Sequence, residues 1–403
     1  MTSQRMRVLV VAEWYPSQAD PVHGIWAHRQ ALAARDAGAE VKVLALRRPI
    51  PPIAVARSGP TAVARWLRDA AKEMRPWRLD GLEVQPVPFL APPRPWSYAS
   101  WGAWIAPTLH RALARERFDL VHAHNVLPTG DAVRRERWQR REAKQLSGKR
   151  RPRFVVSTHG PDIIHVAQRS ARAAAATRRT LQDASVVIAN SRWAQERCEA
   201  LAGTALHARV VHFGADLPPQ PPTRHAQPTL VTVAHLQERK RHAEVMRALA
   251  EIDQARRPDY VIVGEGEMRG RLEELRDSLG LAQWVSFRGQ LDHEAAMAEA
   301  WRAHLCVMPS VEEPFGVAYI EAMAGAVPAI GCRGEGGPED IAAAGEGMVL
   351  VTPGDHRALA STIEACLRDR ERLGAAARAT VERAFTWERC GAETVAAYEA
   401  ALR

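Results

Sequence analysis

Two glutamates eight residues apart carry the strongest chemical signal in the sequence. They are Glu313 and Glu321, in the string PSVEEPFGVAYIEAMAGAVPAIG at residues 309–331. Because a carboxylate beside a phosphate would be repelled, the two acids better suit hydroxyl groups, and two acceptor oxygens match a vicinal diol. Two such glutamates alone are common in charged helices, so the prediction depends on the whole string.

The same string predicts where an anion would bind. An apolar strand pattern ends at Ser310, and a helix is predicted over Val317–Ala326. The backbone N–H groups at a helix start have no partner within the helix and suit a diphosphate. We therefore expect Phe315, Gly316 and Val317 to border an anion site. A phosphate at the helix start with diols on either side describes a sugar nucleotide.

Composition limits the partners. The chain has 403 residues and a formal charge of +9, from 55 Lys and Arg against 46 Asp and Glu. This balance favours nucleotides, phosphates, nucleic acid or an anionic membrane surface. No nucleic-acid recognition module is identifiable, so we expect no nucleic-acid partner. Five cysteines without metal-ligand spacing predict neither a zinc site nor a disulfide framework.

The cysteine usage suits a reducing cytoplasm, and the apolar segments predict neither a signal peptide nor a membrane span. The run Val8–Ala12 meets Glu13 and is too short for a signal-peptide core, and no stretch reaches about 18 apolar residues. The sequence also has no Asp-x-Asp motif, no G-x-x-x-x-G-K-[ST] loop and no Gly-x-Ser-x-Gly elbow. These absences disfavour the metal-dependent transferases with that motif, P-loop NTPases and serine hydrolases of the elbow type.

Strand and helix patterns alternate along the chain. Near-continuous apolar runs such as Met6–Trp14, Phe154–Thr158 and Thr229–Ala234 predict parallel strands covered on both faces. This alternation is typical of a doubly wound α/β fold. The segment DLPPQPPTRHAQP predicts a linker. The predicted organisation is an N-terminal domain 1–215, a hinge 216–228, a C-terminal domain 229–385 and a last helix 386–403.

One segment, residues 48–107, departs from this pattern in its content of Pro, Arg and Trp. Within it, TAVARWLRDAAKEM predicts an amphipathic helix with apolar and basic sides. Such a helix either packs its apolar stripe on the domain core or lies on an anionic membrane. The stripe consists of Val63, Trp66, Leu67, Ala70 and Met74.

The acidic string resembles the Glu-x7-Glu motif of the retaining GT-B glycosyltransferases of family 4, also called glycosyl transferase group 1. In that family the first glutamate contacts hydroxyls of the donor sugar, and the second contacts the ribose hydroxyls. The resemblance assigns these roles to Glu313 and Glu321. The family usually has glycine where this chain has Ala326.

The basic segment VAHLQERKRH, residues 233–242, resembles the family's Gly-Arg-Leu string that continues to Lys-Gly. The resemblance places Lys240 on the donor diphosphate, His235 where an arginine is usual and Arg241 where a glycine is usual. Arg239 or Arg241 could replace the missing arginine, and a solvated basic patch is the alternative. These charges and the helix start would stabilise the leaving diphosphate without a metal.

Three further strings resemble family segments. VIVGEGEMRGRLEEL, residues 261–275, fits the family's Gly-x-Gly turn, although it also resembles a dinucleotide-binding loop whose third glycine comes one residue late. The strand VSFRG, near Arg288, resembles the segment that contacts the base. Gly24 matches the glycine of the first loop, which approaches the donor phosphates and the acceptor, and a simple turn glycine is equally compatible.

Histidines end two predicted strands. FVVSTHGPDI, residues 154–163, resembles the family's His-Gly-x-Asp string, which implies that His159 lies near the reacting sugar. A lone histidine at a strand end is otherwise structural. His122 and His124 alternate along a strand and share a face, but no third ligand is apparent nearby. We interpret them as framework residues rather than metal ligands.

The resemblance covers nearly the whole chain and implies an α/β GT-B fold, with two Rossmann-like doubly wound parallel-sheet domains facing a central cleft. The helix 386–403 would cross back to the N-terminal domain. The implied function is metal-independent hexosyl transfer, with retention of configuration, from a nucleotide-sugar donor to a carbohydrate or lipid-linked acceptor. Cell-surface polysaccharide or glycolipid assembly, on the inner face of the membrane, is the leading setting, and a soluble small acceptor is equally compatible with the motifs. A GT-B sugar-nucleotide epimerase and an NAD-dependent oxidoreductase are the alternatives.

Overall fold

The computed structural model describes residues 5–17, 20–143 and 152–403. Contacts divide the chain into two units. One comprises the described residues up to Val211 together with Cys390–Arg403, and the other comprises His212–Arg389. Both are α/β units with parallel sheets, so the predicted α/β class with doubly wound sheets is confirmed.

The sheet of the first unit has, in its described part, the strand order β3-β4-β2-β1-β5-β6-β7-β8. Its central strands are buried on both faces, as a run such as RVLVVA requires. All neighbouring strands pair in parallel except β3 and β4. The strands are β1 (Arg7–Ala12), β2 (Glu40–Arg47), β3 (Trp77–Leu79), β4 (Leu82–Pro88), β5 (Leu120–His124), β6 (Arg153–Ser157), β7 (Val186–Ala189) and β8 (Ala208–Val210).

The antiparallel pair differs from the purely parallel sheet that the sequence pattern predicted. Asp80 and Gly81 join β3 to β4, and both have positive φ, at 46° and 81°. A two-residue loop with two positive φ angles forms a tight hairpin whose twist matches that of the strands. The hairpin lies in segment 48–107, where the alternation of strands and helices breaks down.

Helices cover both faces of this sheet. Among them, α1 connects the neighbouring strands β1 and β2, and α7 connects the neighbours β6 and β7, whereas α5 lies on the crossover from β4 to β5 past β2 and β1. The helices of the first unit before the chain leaves it are α1 (Ile25–Asp36), α2 (Ile53–Arg57), α3 (Pro60–Lys72), α4 (Arg94–Ser97), α5 (Trp101–Arg115), α6 (Asp131–Ala143), α7 (Ala171–Asp183) and α8 (Arg192–Ala202).

The second unit has a sheet of order β11-β10-β9-β12-β13-β14, and the pairs are parallel. The chain leaves β9 toward β10 on one side and later returns to place β12 on the other. Such a reversal opens a crevice at the carboxyl ends of the two strands, where α/β proteins bind ligands. The strands are β9 (Thr229–Val233), β10 (Asp259–Val263), β11 (Val285–Gly289), β12 (Leu305–Val307), β13 (Ala329–Cys332) and β14 (Met348–Val351).

The helices of the second unit connect these strands. A last helix begins in this unit, and its residues from Cys390 onward belong to the first. In the part of the chain that the structure describes, no helix is both long and apolar enough to cross a bilayer. The helices are α9 (His242–Glu251), α10 (Arg269–Ser278), α11 (His293–Arg302), α12 (Val317–Ala324), α13 (Gly336–Ala344), α14 (His356–Arg368), α15 (Arg370–Ala384) and α16 (Trp387–Leu402).

The segment predicted as a hinge, 216–228, packs within the second unit. The Arg224 guanidinium donates hydrogen bonds to the backbone carbonyls of Trp301, Gly325 and Ala326, the last two at 2.9 and 2.7 Å. The contact boundary lies at 211/212, four residues before the predicted end of the first domain. The hinge role of 216–228 stays a prediction.

Candidate functional site

A buried ion pair occupies the crevice at the ends of β9 and β12. A 3₁₀ turn after β9 carries Lys240, and the loop after β12 carries Glu313. The Lys240 ammonium donates to Glu313 Oε2, and the Ser310 hydroxyl donates to the same oxygen at 3.0 Å. Arg239 Nη1 lies 3.8 Å from this oxygen. The side chains of Lys240 and Glu313 are only 11% and 6% exposed.

The Glu313 carboxylate is ionised despite its burial. Burial alone would raise the pKa of Glu313, but the charges of Lys240 and Arg239 and the Ser310 hydroxyl lower it below its usual value. A buried charge is tolerated where it is paired and hydrogen-bonded. The structure therefore joins two residues that the sequence analysis assigned to different parts of a ligand, the sugar and the diphosphate. Both roles stay predictions.

The loop that follows Glu313 leads into α12 as predicted. Gly316 has φ 80°, and a Cβ there would lie 2.5 Å from the Tyr319 ring, so only glycine fits. Val317 begins the helix, and its first backbone N–H groups face outward along the helix axis. The Phe315 side chain packs on His212 at a ring-centroid distance of 5.6 Å. It is 2% exposed, so a ligand at this helix start would meet the backbone of Phe315 rather than its ring.

The loop is held by a residue that the sequence analysis did not single out. Glu335 Oε2 accepts a hydrogen bond of 2.8 Å from the Glu313 backbone N–H. A Cβ on Gly337 would lie 1.7 Å from the Phe315 carbonyl oxygen, so this glycine permits the close approach. Burial raises the pKa of Glu335, and the carboxylates of Glu312 and Glu313 add to the shift. The sequence signal that could have indicated Glu335 is the glycine-rich acidic string GEGGPE, residues 334–339, which follows β13.

The remaining predicted residues of this unit lie around the crevice with other partners. Glu321 is on α12, 20% exposed, with an oxygen 4.0 Å from His293 Nδ1. Arg288, on the edge strand β11, pairs with Glu299 at 3.3 Å. His235 is exposed just beyond β9. Their contacts with a base, ribose or phosphate stay predictions.

Two departures from the family pattern share one backbone feature. Arg241 has φ 54° and Ala326 has φ 59°, and both stand where the resemblance expects glycine. These are left-handed conformations that favour glycine. The backbone thus retains the glycine-type turn at both places. The Arg241 side chain pairs with Glu244, whereas Arg239 Nη1 lies 3.8 Å from Glu313. Replacement of the missing arginine by either residue stays a prediction.

In the first unit, His159 lies two residues beyond β6, beside the end of β5. Its Nε2 lies 3.0 Å from His124 Nδ1, and the two rings stack at 5.1 Å with an interplanar angle of 3°. Burial lowers the pKa of His159 well below its usual value and that of His124 to about 3. Both imidazoles are therefore neutral near pH 7. His122 bonds the Ser157 hydroxyl at 2.6 Å and the Tyr398 hydroxyl at 2.8 Å.

The loop after His159 is fixed by Asp162. One carboxylate oxygen accepts from the Thr158 hydroxyl at 3.0 Å and from the backbone N–H groups of His159 and Gly160, and the other accepts from Val126 N at 2.8 Å. Asp162 therefore positions the histidine. Across residues 5–17, 20–143 and 152–403, no three His, Cys, Asp or Glu side chains converge as metal ligands.

Gly24 precedes α1 with φ 78°. A Cβ there would lie 2.2 Å from the Trp14 carbonyl carbon, so glycine is required by the close approach of two backbone segments. Trp26, in the first turn of α1, lies 5.9 Å from the His159 ring. The geometry accounts for the glycine, and its predicted approach to donor phosphates stays a prediction.

Comparisons with known proteins agree with this architecture. The family model described as Glycosyltransferase Family 4 matches residues 24–218, and Glycosyl transferases group 1 matches residues 215–382. An MMP alpha-(1->4)-mannosyltransferase of Mycolicibacterium hassiacum is 31% identical over 163 residues, 40% of each chain. A putative teichuronic acid biosynthesis glycosyltransferase of Bacillus subtilis is 24% identical over 377 residues, 89% of this chain and 88% of that one.

Solved structures share the fold. A sucrose-phosphate synthase from Thermosynechococcus elongatus has a TM-score of 0.72 at 21% identity, with 98% of both chains covered. An Anabaena protein solved in complex with UDP and glucose has a TM-score of 0.65 at 20% identity, covering 97% of this chain and 100% of that one. The matches span 40%, 45% and 56% of three of the curated relatives. The chain belongs to the group 1 glycosyltransferases of family 4, with the GT-B fold.

Proposed function

We propose that this protein transfers a glycosyl group from a nucleotide-sugar donor to an acceptor, with retention of anomeric configuration. The observation that carries the proposal is the buried Lys240–Glu313 pair, which lies at the crevice of the second sheet beside the start of α12. An ionised acceptor, a cation and free backbone N–H groups match the hydroxyls and the diphosphate of such a donor. A structural relative holds UDP and glucose in its crystal structure.

The roles follow from the charges. An ammonium has three N–H donors, so Lys240 can keep its hydrogen bond to Glu313 and also donate one to a phosphate oxygen. Lys240, Arg239 and the start of α12 stabilise the negative charge that develops on the leaving diphosphate. We propose that these groups do so without a divalent ion. Glu313 accepts hydrogen bonds from hydroxyls of the transferred sugar, and Glu321 accepts them from the ribose.

The reaction needs positioning more than covalent catalysis. In the proposal, neutral His159 orients the sugar near the bond that breaks, and its neutrality lets each ring nitrogen serve as a donor or an acceptor. The acceptor hydroxyl attacks the anomeric carbon on the face from which the diphosphate departs, so the new glycosidic bond replaces the bond to the diphosphate, and the departing diphosphate takes up the hydroxyl proton. Holding the two reactants together supplies much of the rate enhancement.

Donor binding and product analysis test this proposal. Glu321→Ala and Lys240→Ala are expected to weaken nucleotide-sugar binding in calorimetry without added metal, whereas Glu274→Ala, an exposed acid on α10, is expected to leave it unchanged. Binding by Glu321→Ala as tight as that of the wild type would contradict the ribose role. A product that is an epimerised nucleotide sugar, rather than a glycoside, would identify an epimerase.

We further propose that α3 binds an anionic membrane surface and that the acceptor is lipid-linked, in cell-surface polysaccharide or glycolipid assembly. No residue of α3 is buried, although its apolar stripe includes Trp66 and Leu67, the latter 46% exposed. Val63, Trp66 and Ala70 are half-buried, so the stripe is covered only in part, and Arg65 and Arg68 flank it. A basic amphipathic helix with these residues suits an anionic interface.

Vesicle flotation tests the membrane proposal. Wild-type protein is expected to float with phosphatidylglycerol vesicles at low salt, and a Trp66→Ser, Leu67→Ser variant is expected to lose this binding. Leu90→Ser removes another exposed apolar side chain, 65% exposed and outside α3, and is the matched control. Absence of flotation at low salt, or equal loss in the control, would contradict the proposal.

A further inference from the structure

A cavity of 750 Å³ lies in the first unit between α5 and α7. It is lined by the first turn of α5, by one face of α7 and by α6. Because α7 follows β6 and the His159 loop, its first turns lie on the side of the sheet at which the parallel strands end. Ligands of α/β sheets bind on this side.

The cavity is positively charged. Its lining includes Arg135, Arg172 and Arg179 and no acidic residue. Arg135 donates to Asp131 at 2.6 Å, and Arg134 donates to the same carboxylate at 2.7 Å and lies 3.8 Å from Asp183, so these two guanidiniums of α6 face two carboxylates. Within the described ranges of the chain, no ion pair is found for the exposed Arg172 and Arg179. The excess of positive charge can bind an anionic group, and guanidinium binds carboxylates and phosphates in a bidentate manner.

An exposed indole borders the same cavity. Trp101, Ile105 and Leu109 form the buried face of α5, whereas Trp104 is 49% exposed and lines the cavity. Alanines of both helices form the rest of the wall, and their small side chains leave room beside the indole. Binding pockets combine such apolar and aromatic walls with a few charged groups. The apolar C–H face of a sugar ring packs well on a flat aromatic surface.

We propose that this cavity binds an anionic saccharide, a sugar ring that carries a phosphate or a carboxylate. The Trp104 indole packs on the ring, and Arg172 and Arg179 bind the anionic group. Assigning this saccharide the role of acceptor rests on the proposed glycosyl transfer. Binding itself needs neither donor nor turnover, so it can be tested separately.

Fluorescence polarisation with labelled oligosaccharides of equal length tests the site. An oligogalacturonate is expected to bind at 0.15 M salt, and a neutral maltooligosaccharide is expected to bind at least about tenfold more weakly, since the charged contacts are lost. Unlabelled glucose 6-phosphate is expected to compete, and glucose is not. Competition by the phosphate sugar shows that the anionic group, and not only the uronate ring, is recognised.

Three variants distinguish specific binding in the cavity from non-specific attraction by the positive charge of the protein. We expect oligogalacturonate binding to weaken about tenfold or more in the double variant Arg172→Gln, Arg179→Gln, and also in the single variant Trp104→Ala. Arg178→Gln removes an equal charge from an exposed arginine of α7 outside the cavity and is expected to change binding less than about twofold. Circular dichroism checks that each variant is folded.

Three results would overturn the proposal. They are absence of binding to the acidic probe, equal weakening by Arg178→Gln, and binding to anionic vesicles without binding to soluble acidic sugars. Lys240→Ala lies in the other unit and is expected to leave this binding unchanged while it weakens donor binding. Failure of the saccharide site and failure of the donor site are therefore distinguishable.

Discussion

Replacing Lys240 by methionine isolates the central ion pair of the second unit. Methionine keeps much of the side-chain volume and removes the charge, so Glu313, 6% exposed, loses its direct partner. Removing one member of a buried pair costs about 3–5 kcal/mol. Arg239 at 3.8 Å and the Ser310 hydroxyl at 3.0 Å remain, so we expect a loss near the lower limit, about 3 kcal/mol.

A double-mutant cycle assigns this loss to the pair. Glu313→Gln keeps an acceptor for Ser310 but removes the charge, and Lys240→Met with Glu313→Gln leaves no unpaired buried charge. The double variant is expected to be more stable than the sum of the single losses by about 2 kcal/mol. Arg256→Met breaks an exposed pair with Glu364, at 2.9 Å in the same unit, and should cost less than about 1 kcal/mol.

Hydrogen exchange read by mass spectrometry measures these changes locally. A two-unit chain need not unfold in one step, so local opening free energies are better defined than one global value. A loss of about 3 kcal/mol corresponds to roughly 150-fold faster exchange in peptides from 229–245 and 305–320. Exchange in the first unit should not change.

The pH dependence provides a second check. In the wild type the pKa of Glu313 is lowered, so its stabilising contribution is present above the ordinary carboxyl pKa and is lost as pH falls through the lowered value. In Lys240→Met the burial effect dominates and the pKa rises, so acidification neutralises the unpaired charge. The cost of the substitution should therefore be smaller at pH 5 than at pH 7.5. The reasoning would be refuted if Lys240→Met lost no more stability than Arg256→Met, or if the double-mutant cycle showed no coupling energy between Lys240 and Glu313.

Four other outcomes follow from the geometry. His242 is 2% exposed and burial lowers its pKa to about 4, so the unfolded chain binds more protons than the folded chain between about pH 6.5 and 4. Folding stability measured by urea denaturation therefore falls over that range, and His242→Leu should remove up to about 3 kcal/mol of this loss. An unchanged dependence of stability on pH in the variant would contradict this. Ala326→Gly should raise the melting temperature, by about 0.5–1 kcal/mol of stability, because φ is 59°; a decrease would be inconsistent with strain there. Gly24→Ala should destabilise by about 2 kcal/mol or more, since its Cβ would lie 2.2 Å from a backbone carbon, and a wild-type melting curve would exclude that clash. Glu335→Ala should loosen the Glu313 loop and so raise the donor KM more than it lowers kcat. Glu335→Gln keeps the acceptor oxygen and should have a donor KM close to that of the wild type. Equal effects of the two variants would contradict a positioning role.

The sheets could be predicted because their strands are local, near-continuous apolar runs. RVLVVA and DYVIV leave few alternatives to buried parallel strands. The hairpin at Asp80 and Gly81 was missed because β3, of three residues, and β4, which contains two prolines, lie in a segment rich in Pro, Arg and Trp. The turn residues were its only local signal.

The candidate site could be predicted only in part. The types of Lys240 and Glu313 indicated their chemistry, but a contact between residues 73 positions apart depends on the order β9–β12. Glu335 was missed for the same reason, since its partner is the backbone of another loop. Whether the apolar stripe of α3 is buried or exposed also depends on tertiary packing, because the same periodicity is found in helices that pack on a core and in helices that do not.

The most direct test of the central claim is a thermal shift with a panel of nucleoside diphosphates and nucleotide sugars, without added metal. A ligand that binds the native state raises its melting temperature. We expect one nucleotide class to stabilise the wild type, and we expect Lys240→Ala to lose most of this shift. A shift with NADH and none with any nucleotide sugar, or an equal shift in Lys240→Ala, would contradict a donor site built on Lys240 and Glu313.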